Sequence, residues 1–350
     1  MDTIATLRDR YTALKREEPR LRIRDAATRL DVGEAELVAL GCGTSATRLS
    51  VRDWHAFVRD LKSLGKVMVL TRNEFCVHEK TGHYEFIPEE GDHVGLVTGK
   101  DIDLRLFYGC WNSAFAVEIE DGRGNTMRSF QIFDSAGTAI HKVYLRNDEG
   151  LAAFNELVEK YRSEDQGDVQ VAKPVEARKV GTEPSAETCE ALLADWAALE
   201  DTHQFFMMLR RHKVSRIHAI KAAEGRFTQR VNNSASTYIL EAAAEKDVPI
   251  MVFVGNEGCI QIHTGPVKRT ARMGDWMNVM DPGFNLHLLE SGIDSSWIVE
   301  KPTKDGTVTA LEVLDKDGET IVQFFGERKP GAPERDDWRE LVEGLKAAQD

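Results

Sequence analysis

One half of this chain repeats the other, and that restricts the fold more than composition does, because both copies must adopt one plan. Val67 to Gly82 reads VMVLTRNEFCVHEKTG, and Ile250 to Gly265 reads IMVFVGNEGCIQIHTG. Met68 aligns with Met251, Asn73 with Asn256, Cys76 with Cys259 and Gly82 with Gly265, every pair 183 positions apart. Further on, IDLRLF (Ile102 to Phe107) lies opposite FNLHLL (Phe284 to Leu289), which sets Arg105 against His287. Trp111 and Trp297 follow, and FDSAGTAI (Phe133 to Ile140) lies opposite LDKDGETI (Leu314 to Ile321). The order is kept and the spacing drifts only by small insertions.

Each copy reads mostly as strands. VMVL, YEFI, VGLVT, LRLFYG, AFAVEIE, RSFQIFD and AIHKVYL are short, rich in β-branched and aromatic residues, and bounded by Gly, Asp or Asn. The second copy gives IMVFVG, CIQIHT, WMNVM, NLHLLES, SSWIVE, TALEVLD and TIVQFFG, and SAG and DKDG are hairpin turn signals. Thr6 to Leu40 reads as two or three helices, Glu187 to Lys213 as one long helix, and Ser215 to Ala223 as another. LAAFNELVEKYRS and DDWRELVEGLKAAQ close the two halves as amphipathic helices. The expected fold class is α+β by internal duplication: each half has N-terminal helices, a large antiparallel sheet and a C-terminal helix. The boundaries read as an N-terminal repeat over 1–163, a polar linker over 164–187 and a C-terminal repeat over 188–350.

Of the 350 residues, 42% are hydrophobic, enough for a sizeable core, and the net charge is −13. So acidic a chain is poorly suited to unspecific nucleic-acid binding, which rests on neutralising phosphates. RIRDAATRLDVGEAELVALG has a helix-turn-helix layout, but its second helix carries no basic face. The first twenty residues mix charges of both signs without an apolar run, unlike a signal peptide. No segment approaches the roughly 18 apolar residues of a membrane span. Five cysteines, widely spaced and without a CxxC pair, argue against a disulfide framework or a structural zinc site. The expected location is the cytoplasm. GxGxxG after a strand, GxxxxGK[ST] and GxSxG are all absent, so nucleotide and acyl-transfer chemistry lack their usual marks.

Within LLADWAALEDTHQFFMMLRRH, Leu192, Trp196, Leu199, His203, Phe206 and Arg210 recur at steps of three and four and would share one helical face. On pattern alone, a histidine in such a stripe is more often a core residue bonded to a carbonyl. The sharper reading is an axial ligand to a flat apolar macrocycle, with Phe205 and Met207 beside it. In IDLRLF, alternation puts Asp103, Arg105 and Phe107 on one face. A strand arginine is usually solvated, yet its fixed fork of donors also suits a ligand carboxylate. Arg216, Lys301 and Arg328 each read singly as surface charge and together as candidate partners for two carboxylates.

As a set, RDAATRLDVGEAEL, TRNEFCVHEKTGHYE, IDLRLFYGCWNSAFA, FDSAGTAIHKVY, DTHQFFMMLRRH, FVGNEGCIQI and WIVEKPTKDGTVTALEVLDKDG resemble the HemS/ChuS/HmuS family of haem-degrading and haem-trafficking proteins, over nearly the whole chain. That family is itself an internal duplication. The resemblance implies haem as ligand or substrate, His203 in DTHQFF as the proximal iron ligand, and Arg105 in LRLF as the distal, catalytic group. It also implies pocket positions at Arg216, Lys301, Gln323 and Arg328, and aromatic ones at Phe107, Phe253 and Phe325. Phe325 stands where the family often has Tyr, which removes a phenolic donor. Two roles follow, an oxygenase-like enzyme using an external electron donor, or a carrier that passes haem from importer components to a downstream acceptor. A haem-responsive DNA-binding regulator is the remote alternative.

Overall fold

The computed structural model describes residues 6–88, 94–120, 124–167, 171, 183–328 and 331–347. In chain order its main elements are α1 (Leu7–Glu17), α2 (Ile23–Leu30), α3 (Glu34–Ala39), β1 (Ala46–Leu49), α4 (Trp54–Asp60), β2 (Val67–Arg72), β3 (Cys76–Gly82), β4 (Gly95–Val97), β5 (Asp103–Leu106), β6 (Ser113–Glu120), β7 (Thr126–Phe133), β8 (Ala139–Leu145) and α5 (Leu151–Tyr161). There follow α6 (Ala186–Ala197), α7 (Gln204–His212), α8 (Arg216–Ala222), β9 (Thr228–Val231), α9 (Ala235–Lys246), β10 (Ile250–Gly255), β11 (Cys259–Gly265), β12 (Thr270–Met273), β13 (Trp276–Asp281), β14 (Phe284–Leu289), β15 (Ser295–Lys301), β16 (Val308–Leu314), β17 (Thr320–Gly326) and α10 (Asp336–Ala347). Most of the linker expected at 164–187 lies outside the described residues.

The chain forms two compact units. One comprises Met1–Thr71, Thr81–Ala177 and Asn256–Cys259; the other comprises Arg72–Lys80, Arg178–Gly255 and Ile260–Asp350. Each therefore contains one short segment from the opposite half of the sequence, and the two segments hold equivalent turns. In the second unit Asn73 Nδ2 donates to the carbonyls of Ile321 at 2.7 Å and Gly255 at 3.2 Å, while its Oδ1 accepts from the backbone of Cys76 and Phe75. In the first unit Asn256 Nδ2 donates to Ile140 O at 2.8 Å, and its Oδ1 accepts from Gly258 and Cys259. The asparagine conserved between the copies thus ties its turn to the adjoining strand. Asn73→Ala should lower the unfolding free energy of the whole chain by about 2–4 kcal/mol, since it strands several backbone groups at once. The midpoint of a urea titration reads this directly, and an unmoved midpoint would refute it.

Both units build an antiparallel sheet in the same order, β1-β6-β7-β8-β2 in the first and β9-β15-β16-β17-β10 in the second. Both carry a register shift at the same place, between Ile132 and Phe133 in one and between Val313 and Leu314 in the other. The turns that follow need a left-handed residue, and Gly137 (φ 75°) and Gly318 (φ 76°) supply it. In the second unit one sheet face presents Val252, Leu311, Val313, Val322 and Phe324 to Ile239, Leu240 and Ala243 of α9 and to Trp338, Leu341 and Val342 of α10. In the first unit Val67, Phe130 and Ile132 meet Phe57 of α4 and Phe154 of α5 in the same way.

Three expectations need correction. Glu187 to Lys213 is not one helix but α6 and α7, broken at residues 198–203. There Gln204 Oε1 accepts from Glu200 N and Asp201 Oδ1 accepts from His203 N, so side chains take the backbone donors that a continuous helix would use. YEFI (84–87) forms only an isolated bridge, Phe86 with Thr98. The pattern also missed α4, α9, β1, β3, β9 and β12, whose apolar residues lack a clean period. Of the helix-turn-helix-like pair α2 and α3, the second buries Glu34, Ala35, Leu37, Val38 and Ala39, so no face of it is free to read DNA.

Candidate functional site

In the second unit one row of paired residues crosses the sheet. The register sets Trp297 against Glu312, Glu312 against Gln323, and Gln323 against Phe253. Directly paired residues share a face, and alternation puts Phe325 and Lys301 on it too. The opposite face is the α9/α10 core. Thus Phe253, Gln323, Phe325 and Lys301, far apart in sequence, come to one surface. Phe253 and Phe325 are half-buried and meet edge to face, 5.0 Å between centroids and 62° between planes. At the β15/β16 end, Trp297, Val299 and Leu314 are covered by Leu192 and Trp196 of α6, Phe205 of α7 and Ile217 of α8.

His203 stands at the start of α7. It is neither a core histidine nor part of a buried stripe: its side chain is 89% exposed. Leu192, Trp196 and Leu199 are buried as expected, but Phe206 (59%) and Met207 (57%) are exposed beside it, and Arg210 is exposed too. The helix break changes the phase: after residue 203 it is Phe205, Met208 and Leu209 that join the buried cluster of Leu192, Trp196 and Leu199. Asp201 Oδ1 lies 2.6 Å from His203 Nδ1. The Asp201 carboxyl is held below its usual range first by the His203 backbone N–H, then by the His203 ring, with Arg328 adding to the effect. An ionised carboxylate cannot donate, so Nδ1 carries the proton and Nε2 presents its lone pair outward. Nε2 has no hydrogen bond to any described residue.

Lys301 and Arg216 are not free surface charges. Lys301 is only 5% exposed. Its Nζ donates to Glu312 Oε1 at 2.8 Å, and Arg216 Nη1 donates to Glu312 Oε2 at 2.7 Å. Burial alone would raise the Glu312 carboxyl, but the two cations outweigh it and bring it down to about 2. Arg216, first residue of α8, keeps a quarter of its side chain in solvent, and Arg328 is half-buried just past β17.

In the first unit Ile102, Leu104 and Leu106 are buried, while Asp103, Arg105 and Phe107 alternate to the other face, half-buried. Arg105 forms an ion pair with Asp103 and donates to Leu104 O at 3.2 Å. Its register partner on β4 is Leu96, exposed like Val94 and Phe86. Arg105 therefore sits on an apolar surface, not on a solvated polar one. Phe107 is fixed by its backbone N–H, which donates to Gly258 O at 2.9 Å.

Several residues of these surfaces escaped the sequence. Val94 and Leu96 were legible in the alternation of VGLVT. Asp201 lies two residues before His203, and Glu312 is a lone charge inside an apolar strand, a signal passed over. Among the described residues no three His, Cys, Asp or Glu side chains converge to hold a bare metal ion, and none of the five cysteines is in a disulfide. No described helix is long and apolar enough to cross a membrane.

The chain thus combines a duplicated α+β plan with an exposed imidazole beside exposed apolar side chains, an arrangement open to a ligand. The haemin-degrading HemS.ChuX domain matches twice, over residues 31–161 and 213–345, and the chain belongs to that family. It is 39% identical to the hemin transport protein HemS of Yersinia enterocolitica, over 96% of each chain. It is similar to the crystal structure of holo-PhuS, a heme-binding protein from Pseudomonas aeruginosa, with 48% identity, a TM-score of 0.89 and 96% of each chain covered. The heme-degrading enzyme ChuS of Escherichia coli O157:H7 matches with 35% identity and a TM-score of 0.88, over 96% of this chain and 97% of that one.

Proposed function

We propose that this chain is a cytoplasmic haem-handling protein of bacterial haem uptake, with haem as its substrate or cargo and His203 as the iron ligand. The observation that carries the reading is the His203 imidazole: exposed, tautomerically set by Asp201, and flanked by exposed Phe206 and Met207. An imidazole nitrogen with a free lone pair binds iron, and apolar side chains beside it suit a flat macrocycle. Phe253 and Phe325 extend the apolar contact, and Arg328 suits a carboxylate of haem, whereas Arg216 is engaged by Glu312. Arg105, held on its apolar surface with Phe107, is the candidate catalytic group, supplying a guanidinium for charge that develops during oxidation. The reaction proposed is oxidative opening of the macrocycle, with electrons from an external donor and dioxygen consumed; the iron is released.

The test is a visible spectrum of the full chain with one equivalent of haem, followed after adding ascorbate in air with catalase present. Loss of the Soret band with a new long-wavelength product band is expected. A stable Soret band would replace the enzyme with a carrier that passes haem from importer components to an acceptor. Arg105→Ala should slow ring opening far more than it weakens haem binding; equal turnover would remove Arg105 from the chemistry.

A further inference from the structure

We propose that Glu312 is a positioning residue for His203, acting through Lys301, Arg216 and the ring of Phe205; this rests on the reading that His203 binds haem iron. Between residues 203 and 207, Phe205 is the only buried side chain, while His203, Gln204, Phe206 and Met207 are all exposed. The first turn of α7 is therefore seated through one ring. That ring meets Trp196 edge-on at 4.7 Å between centroids. Lys301 Nζ lies 4.5 Å from its centroid and the Arg216 guanidinium 5.3 Å. Two cations around one ring repel each other, and neither would hold that place in a dry site without a counter-charge. Glu312, wholly buried in the middle of β16, supplies it, one carboxylate oxygen to each cation.

The chain of contact runs from a rigid central strand to the two cations, from the cations to Phe205, and from Phe205 to the imidazole two residues before it. Lys301, at 5% exposure, is held in this bracket by Glu312. Glu312 thus affects the iron bond without touching haem. This separates it from a residue that merely attracts the porphyrin: removing its negative charge leaves attraction for carboxylates intact or greater, yet loosens the imidazole.

The experiment compares two probes on the full chain, haemin and metal-free protoporphyrin IX, which has the same carboxylates and ring but no iron for His203 to bind. Glu312→Gln is expected to weaken haemin binding about tenfold, the loss of roughly 1.4 kcal/mol of ligation, and to shift the Soret band, while protoporphyrin affinity stays within about twofold. Should E312Q fail to fold, Glu312→Asp decides, because it keeps the charge but is one methylene too short to reach both cations; it should show the same selective loss, smaller. Haemin and protoporphyrin affinities changing in parallel, or an unaltered Soret band in the folded variant, would overturn the proposal. His203→Ala run alongside keeps the two readings apart: if it retains the wild-type ratio of haemin to protoporphyrin affinity, the ligand assignment itself fails, whatever E312Q shows.

Discussion

His203→Ala should weaken haem binding by about a hundredfold or more and move the Soret band, because perturbing a partner behind a metal ligand already costs 10–100-fold and this change removes the ligand itself. The protein should nevertheless fold as before. The side chain is 89% exposed, and its one side-chain partner, Asp201, is itself more than half exposed. No core contact is lost, so the urea midpoint should not move. The residual binding should resemble that of a porphyrin held by apolar contact and by Arg328 alone. Asp201→Asn provides the graded companion. Its side-chain oxygen can still accept from His203 Nδ1, but the charge is gone, so imidazole basicity falls and affinity should drop less than in H203A. An H203A spectrum identical to that of the wild type would exclude His203 as the iron ligand.

The duplication was legible because identities such as Asn73 with Asn256 do structural work that both copies need: each amide ties its turn to an adjoining strand. The strands were legible where apolar residues alternate or run together. The unforeseen elements, such as α9 with its run of small residues, depend on tertiary packing for their stability, not on a strong local pattern. His203 shows how a periodic pattern can misplace a side chain. A helical stripe through Leu192, Trp196 and Leu199 pointed to it, yet the stripe ends at Leu199. Hydrogen bonds from Gln204 and Asp201 side chains break the helix there and turn the imidazole to solvent. Spacing statistics do not see such competition between side chain and backbone. Taken singly, Lys301 looked like surface charge, because the counter-ion that accompanies its burial lies eleven residues away on the neighbouring strand.

Acidification from pH 7 to pH 5 should destabilise the protein steeply, well before carboxylate titration begins in earnest. Among the described residues three histidines are buried and neutral. His141 bridges Thr71 Oγ1 at 2.9 Å and Tyr84 OH at 3.0 Å in the first unit, and burial lowers it to about 3. In the second unit His263 stacks on Phe284 at 3.8 Å and is lowered to about 3 by burial and by Lys80. His78, bonded to Gln261 at 2.9 Å, is lowered well below its ordinary value by burial, then by His263 and Lys80. The unfolded chain takes up these three protons as the pH falls through about 6.5, while in the folded chain His141 and His263 refuse theirs until near pH 3 and His78 is held neutral well below its ordinary range, so stability falls with pH across that window. At pH 5 each histidine costs about 2 kcal/mol, together a large part of the 5–15 kcal/mol typical of a folded domain. Glu312 adds to the loss only below its ordinary 4.5, as the pH falls toward about 2. Asp134 and Glu334, both raised by burial, act in the opposite sense, as the pH falls through their raised values toward the ordinary 3.8 and 4.5. Unfolding free energies by urea at pH 7.5, 6.5 and 5.5 measure the slope. His141→Gln, whose amide can still bond Thr71 and Tyr84, should flatten it by about a third, since one of three equal proton sites is removed. A stability flat from pH 7 to 5 would mean that these imidazoles are reached by water or by a counter-charge in the folded chain, and the dry interior that isolates them would have to be abandoned.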